Sequence, residues 1–235
     1  MDLLGLKIKS IRDRLGINDE FGKIYSFIDF GNINYWFEKD TKDCDDNMLL
    51  LEEKMVIDLE KLANFSKYFS EKNFYYYGVN PESPGSVGFI SKARDFFDKA
   101  NSKPIQKIKH YLGDGEIKNN TRSVNCDKNG DFVYIPKCNF DVEIAVDAIR
   151  LADFYDTCCI FSGDADFVRL VKYLKEKKKK IIIIKGGFIQ YDLAREADLI
   201  INAQDIKPEI AVKKQKSSFV ARLADRDPVS TGRAI

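Results

Sequence analysis

Short apolar runs alternate with amphipathic segments along most of this chain. Six runs have the length and the apolar or aromatic content of strands: 24–28, 74–79, 105–112, 158–161, 181–184 and 199–201. Apolar residues recur at helical spacing around and between them, in 1–20, 48–69, 87–99, 140–152, 167–174 and 191–197. Repeated alternation of strand and helix predicts an α/β fold, namely a three-layer α/β/α sandwich with a mainly parallel central sheet.

The least regular stretch is 113–139, which contains several turn pairs. Asn129-Gly130 stands directly before the apolar run 131–135 and predicts a hairpin there. A polar, acidic stretch at 40–47 predicts a surface loop.

These patterns predict one main domain, residues 24–205, with inserts at 40–72 and 113–135. An amphipathic helix is expected to precede it as an N-terminal extension, 1–23. After residue 205 the periodic pattern fades and basic residues outnumber acidic ones, so 206–235 is expected to be a basic, flexible tail.

Composition restricts the chemistry more than it suggests a partner. The chain has 38 Lys and Arg against 37 Asp and Glu, so net charge gives no argument for nucleic-acid binding. With the single histidine His110, a histidine-based zinc site is not expected. Five cysteines without a Cys-x-x-Cys pair are typical of a reducing compartment. The longest purely apolar run, 181–184, is too short to cross a bilayer, so a soluble cytoplasmic protein with no membrane partner is expected.

Carboxylates stand where predicted strands end. Asp29 follows the run 24–28, and Asp164 and Asp166 follow the run 158–161 in the sequence Ser-Gly-Asp-Ala-Asp-Phe. In a parallel sheet these strand ends share one edge, where ligands bind. Asp141 begins the helix 140–152. Clustered carboxylate oxygens suit a hard cation such as Mg²⁺ or Mn²⁺.

Each of these carboxylates also has an ordinary structural explanation. Asp164 is a suitable helix cap, Asp141 is favoured by the dipole at a helix start, and Asp29 is a common turn residue. The functional interpretation depends on the assembly of all four, which requires the strands 24–28 and 158–161 to be neighbours.

Three stretches resemble the signature sequences of NYN domains, the PIN-like nuclease domains of the LabA/DUF88 branch. They are 27–34 (Phe-Ile-Asp-Phe-Gly-Asn-Ile-Asn), 137–147 and 162–167 (Ser-Gly-Asp-Ala-Asp-Phe). The resemblance extends over about 24–205. In the middle stretch the family's common Lys-Gly-Val-Asp is replaced by Lys-Cys-Asn-Phe-Asp, one residue longer and without the glycine.

The resemblance implies a metal-dependent nuclease that usually acts on RNA. Carried over by position, the catalytic and metal-binding carboxylates are Asp29, Asp141, Asp164 and Asp166, and Asn32 is a supporting polar group. Four carboxylates at one site repel one another, so one or two Mg²⁺ or Mn²⁺ ions are expected, which would activate water for attack on phosphorus.

Two other classes of function remain open. The first is an RNA-binding or regulatory module of the same fold that retains the cluster without turnover. The second, less favoured, is a phosphatase of the haloacid-dehalogenase type, which would need an aspartate where Gly31 stands.

RNA is the expected partner, and the formation of a homo-oligomer is a further possibility. Phosphate contacts are expected from basic residues in the insert and at strand ends: Lys118, Arg122, Lys128, Lys137 and Lys185. Solvated surface is an equally good interpretation of the insert residues.

Overall fold

The computed structural model describes residues 3–113 and 124–215. The strands in these ranges are β1 (Ile24–Asp29), β2 (Glu53–Ile57), β3 (Lys72–Val79), β4 (Lys99–Pro104), β5 (Gln106–Tyr111), β6 (Asn125–Asp127), β7 (Gly130–Lys137), β8 (Thr157–Phe161), β9 (Lys180–Lys185), β10 (Leu199–Asn202) and β11 (Ala211–Gln215). The helices are α1 (Leu3–Leu15), α2 (Phe30–Ile33), α3 (Leu59–Ser66), α4 (Pro84–Phe96), α5 (Asp141–Arg150), α6 (Val168–Glu176), α7 (Tyr191–Glu196) and α8 (Lys207–Ile210).

A six-stranded parallel sheet in the order β10-β9-β8-β1-β3-β4 forms the centre of the molecule. Along β8 successive side chains enter opposite cores: Cys159 and Phe161 pack with residues of α1, α3 and α4, whereas Cys158 and Ile160 pack with residues of α5, α6 and α7. Burial on both faces explains why this strand is apolar throughout. The predicted three-layer α/β sandwich with a mainly parallel sheet is confirmed.

The strands β5, β6 and β7 form a separate antiparallel sheet in the order β5-β7-β6. The predicted hairpin is present, with Asp127 opposite Gly130. The strand predicted at 105–112 exists as β5, but it belongs to this second sheet. The sixth strand of the central sheet is instead β4, a polar edge strand in a segment partly predicted to be helical. Half-exposed edge strands lack the apolar signal on which the prediction depended.

The prediction of one helix over 48–69 is wrong in its first half. Residues Glu53–Ile57 form β2, with Met55 and Ile57 buried, and α3 begins only after Asp58, whose side chain accepts a hydrogen bond from the Lys61 backbone N–H (3.0 Å). This N-cap ends the strand and starts the helix. The strand is stabilised by a distant partner, β11, which local periodicity cannot indicate.

The expectation that the chain is loosely ordered from residue 206 is wrong for its first ten residues. Ile206, Ile210 and Ala211 are buried, and β11 pairs with β2. Lys207, expected to be part of a basic tail, is itself buried, and its Nζ lies 2.7 Å from the Asp40 carboxylate and 2.6 Å from the Lys42 carbonyl oxygen. This lysine is therefore used inside the fold. Residues 216–235 lie outside the described ranges.

No helix in the described ranges is long and apolar enough to cross a membrane. The domain boundaries, the cytoplasmic location and the homo-oligomer stay predictions of the sequence.

Truncation provides a test of the role of residues 206–215. A chain that ends at Asp205 loses two buried isoleucines and the partner of β2, so we expect its free energy of unfolding to fall by at least about 3 kcal/mol. A chain that ends at Gln215 keeps every contact described here and serves as the control. Chemical denaturation of both chains checks the prediction, and equal stability of the two would contradict it.

Candidate active site

The site lies at the point where the strand order of the central sheet reverses. From β1 the chain proceeds to β3 and β4 on one side, and later returns to β8, β9 and β10 on the other. Parallel sheets leave a crevice at such a point, outside the carboxyl ends of the strands. Ile28 is opposite Phe161 in the β1–β8 register, so Asp29 and Ser162 leave the sheet side by side. The functional interpretation required these two strands to be neighbours, and they are paired in the sheet.

Three of the four predicted carboxylates converge here. One carboxylate oxygen each from Asp141, Asp164 and Asp166 lies within 4.8 Å of the others. Asp141 begins α5, and its backbone N–H donates to Asn139 Oδ1 (2.8 Å). Asp164 caps the short 3₁₀ turn Ala165–Phe167 by accepting from the Asp166 backbone N–H (3.0 Å). The capping role considered for Asp164 is thus real, and it coexists with membership of the cluster.

Asp29 lies beside this cluster, but it is not one of the three residues whose carboxylate oxygens converge. Its carboxylate is buried and accepts a hydrogen bond from Asn32 Nδ2 (3.0 Å). The same Asn32 amide donates to Ser162 Oγ (3.1 Å), which also accepts from the Asp164 backbone N–H (3.2 Å). A continuous hydrogen-bonded path therefore joins the ends of β1 and β8. It fixes the position of Asp29 relative to that of Asp164.

Burial and the repulsion of neighbouring charges make ionisation of Asp29 and of Asp141 unfavourable. Burial raises the pKa of Asp29 from 3.8 to about 6, an effect that the hydrogen bond from Asn32 opposes and the charge of Asp141 adds to. Burial also raises the pKa of Asp141; its hydrogen bond with Asn139 opposes the shift, and the charges of Asp164 and Asp166 reinforce it. A cation in the crevice would relieve this repulsion.

The crevice opens into a cavity of about 410 Å³. Its lining includes Asp29, Asn32, Asp141 and Asp164, and one wall comes from the second sheet through Pro136 and Lys137. The sequence predicted a phosphate contact from Lys137 but not that this sheet would form a wall of the cavity. The sequence interpretation also missed several lining residues that have no charge to draw attention to them: Tyr35, Tyr77, Ile105, Cys138 and Asn139.

Ser162 was not among the residues predicted for the site, whereas the structure buries it completely at the centre of the hydrogen-bonded path. Its position directly after a strand and before the Gly-Asp pair was the available signal. Asp147, the last residue of the second resembling stretch, lies elsewhere and accepts a hydrogen bond from the Tyr76 hydroxyl (2.8 Å).

The predicted phosphate-binding residues fall into three groups. Lys137 lines the cavity, and Lys185 ends β9 close to Gly163, where an added Cβ would lie 3.4 Å from the Lys185 Cβ. Lys128 is exposed in the turn before β7, and that strand, running from Gly130 to Lys137, separates it from the cavity by roughly 23 Å. Lys118 and Arg122 lie outside the described residues.

The donor set fits a hard divalent cation. All three convergent groups are carboxylates, and oxygen ligands around Mg²⁺ or Mn²⁺ lie about 2.1 Å from the ion, hence up to about 4.2 Å from each other. Asp166 is exposed, so a rotation of its side chain can close the remaining gap. Asp29 and Asn32 would then stand next to the bound ion.

A parallel α/β sheet with clustered aspartates at the carboxyl ends of its central strands is the arrangement expected of a PIN-like, nuclease-type domain. The NYN domain model matches residues 23–204. The chain belongs to the NYN domain family.

Two comparisons place the chain further. Over 89 residues it is 32% identical to the Low amplitude and bright protein LabA of Synechococcus elongatus, an alignment that covers 37% of this chain and 48% of LabA. The matched part thus spans about half of LabA. The crystal structure of VPA0982, a Vibrio parahaemolyticus protein of unknown function, matches 83% of this chain and 99% of its own with a TM-score of 0.53 and 19% identity. This second likeness supports the fold alone.

The buried Asp29 carboxyl predicts a pH-dependent cost in the metal-free protein. Because its folded pKa of about 6 exceeds the ordinary value of 3.8, the unfolded chain ionises first as pH rises between these values, and stability falls. We therefore expect Asp29→Asn to gain stability relative to wild type by up to about 3 kcal/mol between pH 4 and pH 7. Loss of the hydrogen bond to Asn32 would lower the stability of Asp29→Asn by an amount that does not change with pH.

Urea unfolding in EDTA across this pH range measures the difference between the two proteins. The exposed Asp153, changed to Asn, is the matched control and should show no such trend. A stability difference between Asp29→Asn and wild type that stays constant with pH would exclude a raised Asp29 pKa.

Proposed function

We propose that this protein is a metal-dependent endoribonuclease that hydrolyses RNA phosphodiester bonds at the edge where β1 and β8 end. The convergence of Asp141, Asp164 and Asp166 at the switch point of an NYN domain is the observation that supports it. Asp29 and Asn32 complete the proposed catalytic set.

The proposed metal ligands are Asp141, Asp164 and Asp166, with Asp29 as a fourth carboxylate. Bound Mg²⁺ or Mn²⁺ would supply activation of water and neutralisation of phosphoryl charge. Asn32 keeps the Asp29 carboxylate oriented toward the end of β8 through its bond to Ser162. Lys137 lines the crevice and Lys185 ends β9 next to Gly163, and both would offer positive charge to the flanking phosphates.

The second candidate is an RNA-binding or regulatory module without turnover. One observation favours it: Asp29 is buried and held by Asn32 rather than grouped with the other three carboxylates. Binding of RNA without cleavage in the presence of metal ions would select this alternative.

Cleavage of labelled RNA by the purified protein tests the catalytic proposal directly. We expect cleavage with Mg²⁺ or Mn²⁺, none with EDTA, and at least a roughly hundredfold loss of rate in Asp164→Asn, because that change removes one convergent carboxylate. Asp153 is an exposed aspartate that precedes β8, at the amino ends of the strands. The Asp153→Asn protein should therefore cleave RNA at the wild-type rate. Undiminished cleavage by Asp164→Asn would assign the activity to another site or to a contaminant.

Metal binding can be measured without any RNA. A cation that binds only the folded protein stabilises it by mass action, so millimolar Mn²⁺ should raise the Tm of the wild type. The Tm increase should be smaller in Asp141→Asn, because that change removes a carboxylate from the cluster. In Asp153→Asn the Tm increase should equal that of the wild type. A wild-type melting curve that Mn²⁺ and Mg²⁺ leave unchanged would argue against a metal site.

A further inference from the structure

Two large aromatic side chains stand exposed at the edge of the sheet that carries the acidic cluster. Phe188 is 87% exposed and Tyr35 is 63% exposed. Single exposed aromatics are ordinary on protein surfaces. Two exposed aromatic side chains in adjoining loops, both next to a polar crevice, need a further explanation, because each of them leaves apolar surface in contact with water.

Tyr35 belongs to the loop that follows β1 and α2. It lines the same cavity as Asp29, Asp141 and Asp164. The next residue, Trp36, fixes this loop against the loop after β9, because its indole ring packs so closely on Gly186 that a Cβ there would overlap it. Tyr35 is therefore displayed from an anchored loop.

Phe188 belongs to that second loop, two residues beyond Gly186. Its carbonyl oxygen would lie 3.4 Å from a Cβ at Gly163, the residue directly before Asp164. Helix α7, which begins three residues later, packs against the 3₁₀ turn that contains Asp166. Phe188 thus stands beside the same strand end as the acidic cluster. The nearby Tyr191 is also exposed, but its ring faces the Arg195 guanidinium at 6.0 Å.

The charged residues around these rings restrict what could cover them. Lys137 lines the cavity beside Tyr35, and Lys185 precedes Phe188 by three residues. Rings that accept flat partners, lysines that contact phosphates and a carboxylate cluster suited to a divalent cation match the parts of a nucleotide chain. A base inside a duplex is stacked on its neighbours and cannot stack on a side chain, so this arrangement suits a single strand.

We propose that Tyr35 and Phe188 form a base-stacking platform that binds single-stranded RNA beside the acidic cluster. This deepens the proposed nuclease function by naming the substrate class. Stacking on aromatic side chains tolerates any base, so the platform confers preference for unpaired RNA rather than for a sequence.

Binding measured in EDTA separates the platform from catalysis. The probe is a fluorescein-labelled, mixed-sequence single strand of about twelve nucleotides, within the range of known single-strand site sizes, and the readout is fluorescence anisotropy. Tyr35→Ala and Phe188→Ala should each raise the Kd about tenfold, and Tyr35→Phe and Phe188→Trp should restore it, since a flat ring suffices. Phe154→Ala is the matched control: Phe154 is 60% exposed but stands before β8, at the opposite edge of the sheet.

The fully paired form of the same RNA should bind more weakly than the single strand, and its Kd should not respond to either alanine change. The proposal is overturned if the two alanine variants bind the single strand like wild type, if Phe154→Ala weakens binding equally, or if Tyr35→Phe and Phe188→Trp fail to restore binding. Circular dichroism of each variant excludes unfolding as the cause. A wild type that binds through these rings but never cleaves with Mn²⁺ would refute the nuclease proposal and leave the platform standing.

Discussion

Parallel pairing of β1 with β8 is the constraint on which the site depends. The two strands are far apart in the chain, yet their register places Asp29 next to Ser162. Because sheet order reverses at this pair, no helix connects across their carboxyl ends, and a crevice remains. A shift of this register by one residue would exchange the faces of every side chain on β8 and remove Asp164 from its place.

The two strands could be predicted from the sequence because both are buried on two faces, whereas their pairing with each other was only a condition of the functional interpretation. Buried parallel strands are apolar throughout, and the runs ending in Asp29 and at Ser162 are of this kind. The acidic residues follow them directly, so the place of the site was readable. Asp141 required more, since its approach depends on how α5 packs on β1 and on the turn carrying Asp166; the resemblance to NYN domains supported its inclusion.

The parts that could not be predicted are stabilised by distant or polar contacts. Strand β2 pairs with β11, about 150 residues away, and Lys207 is buried by its ion pair with Asp40. Strand β4 is polar because it is the edge of the sheet. The residues that form the cavity walls were also not predicted. Tyr35 and Cys138 lie in loops, and loop sequences have no periodicity from which the positions of side chains can be inferred.

Electrostatics and packing oppose each other at this site, and the conflict itself suggests a ligand. Folding brings Asp141, Asp164 and Asp166 together and buries Asp29 beside them, although ionisation of Asp29 and of Asp141 becomes less favourable as a result. The Lys185 ammonium donates a hydrogen bond to the neutral Gly187 carbonyl oxygen at 2.6 Å rather than to one of these carboxylates. A divalent cation would neutralise the cluster and at the same time attract the phosphates that Lys137 and Lys185 flank. Retention of a cluster that is unfavourable without an ion is therefore best understood as the consequence of a function that uses one.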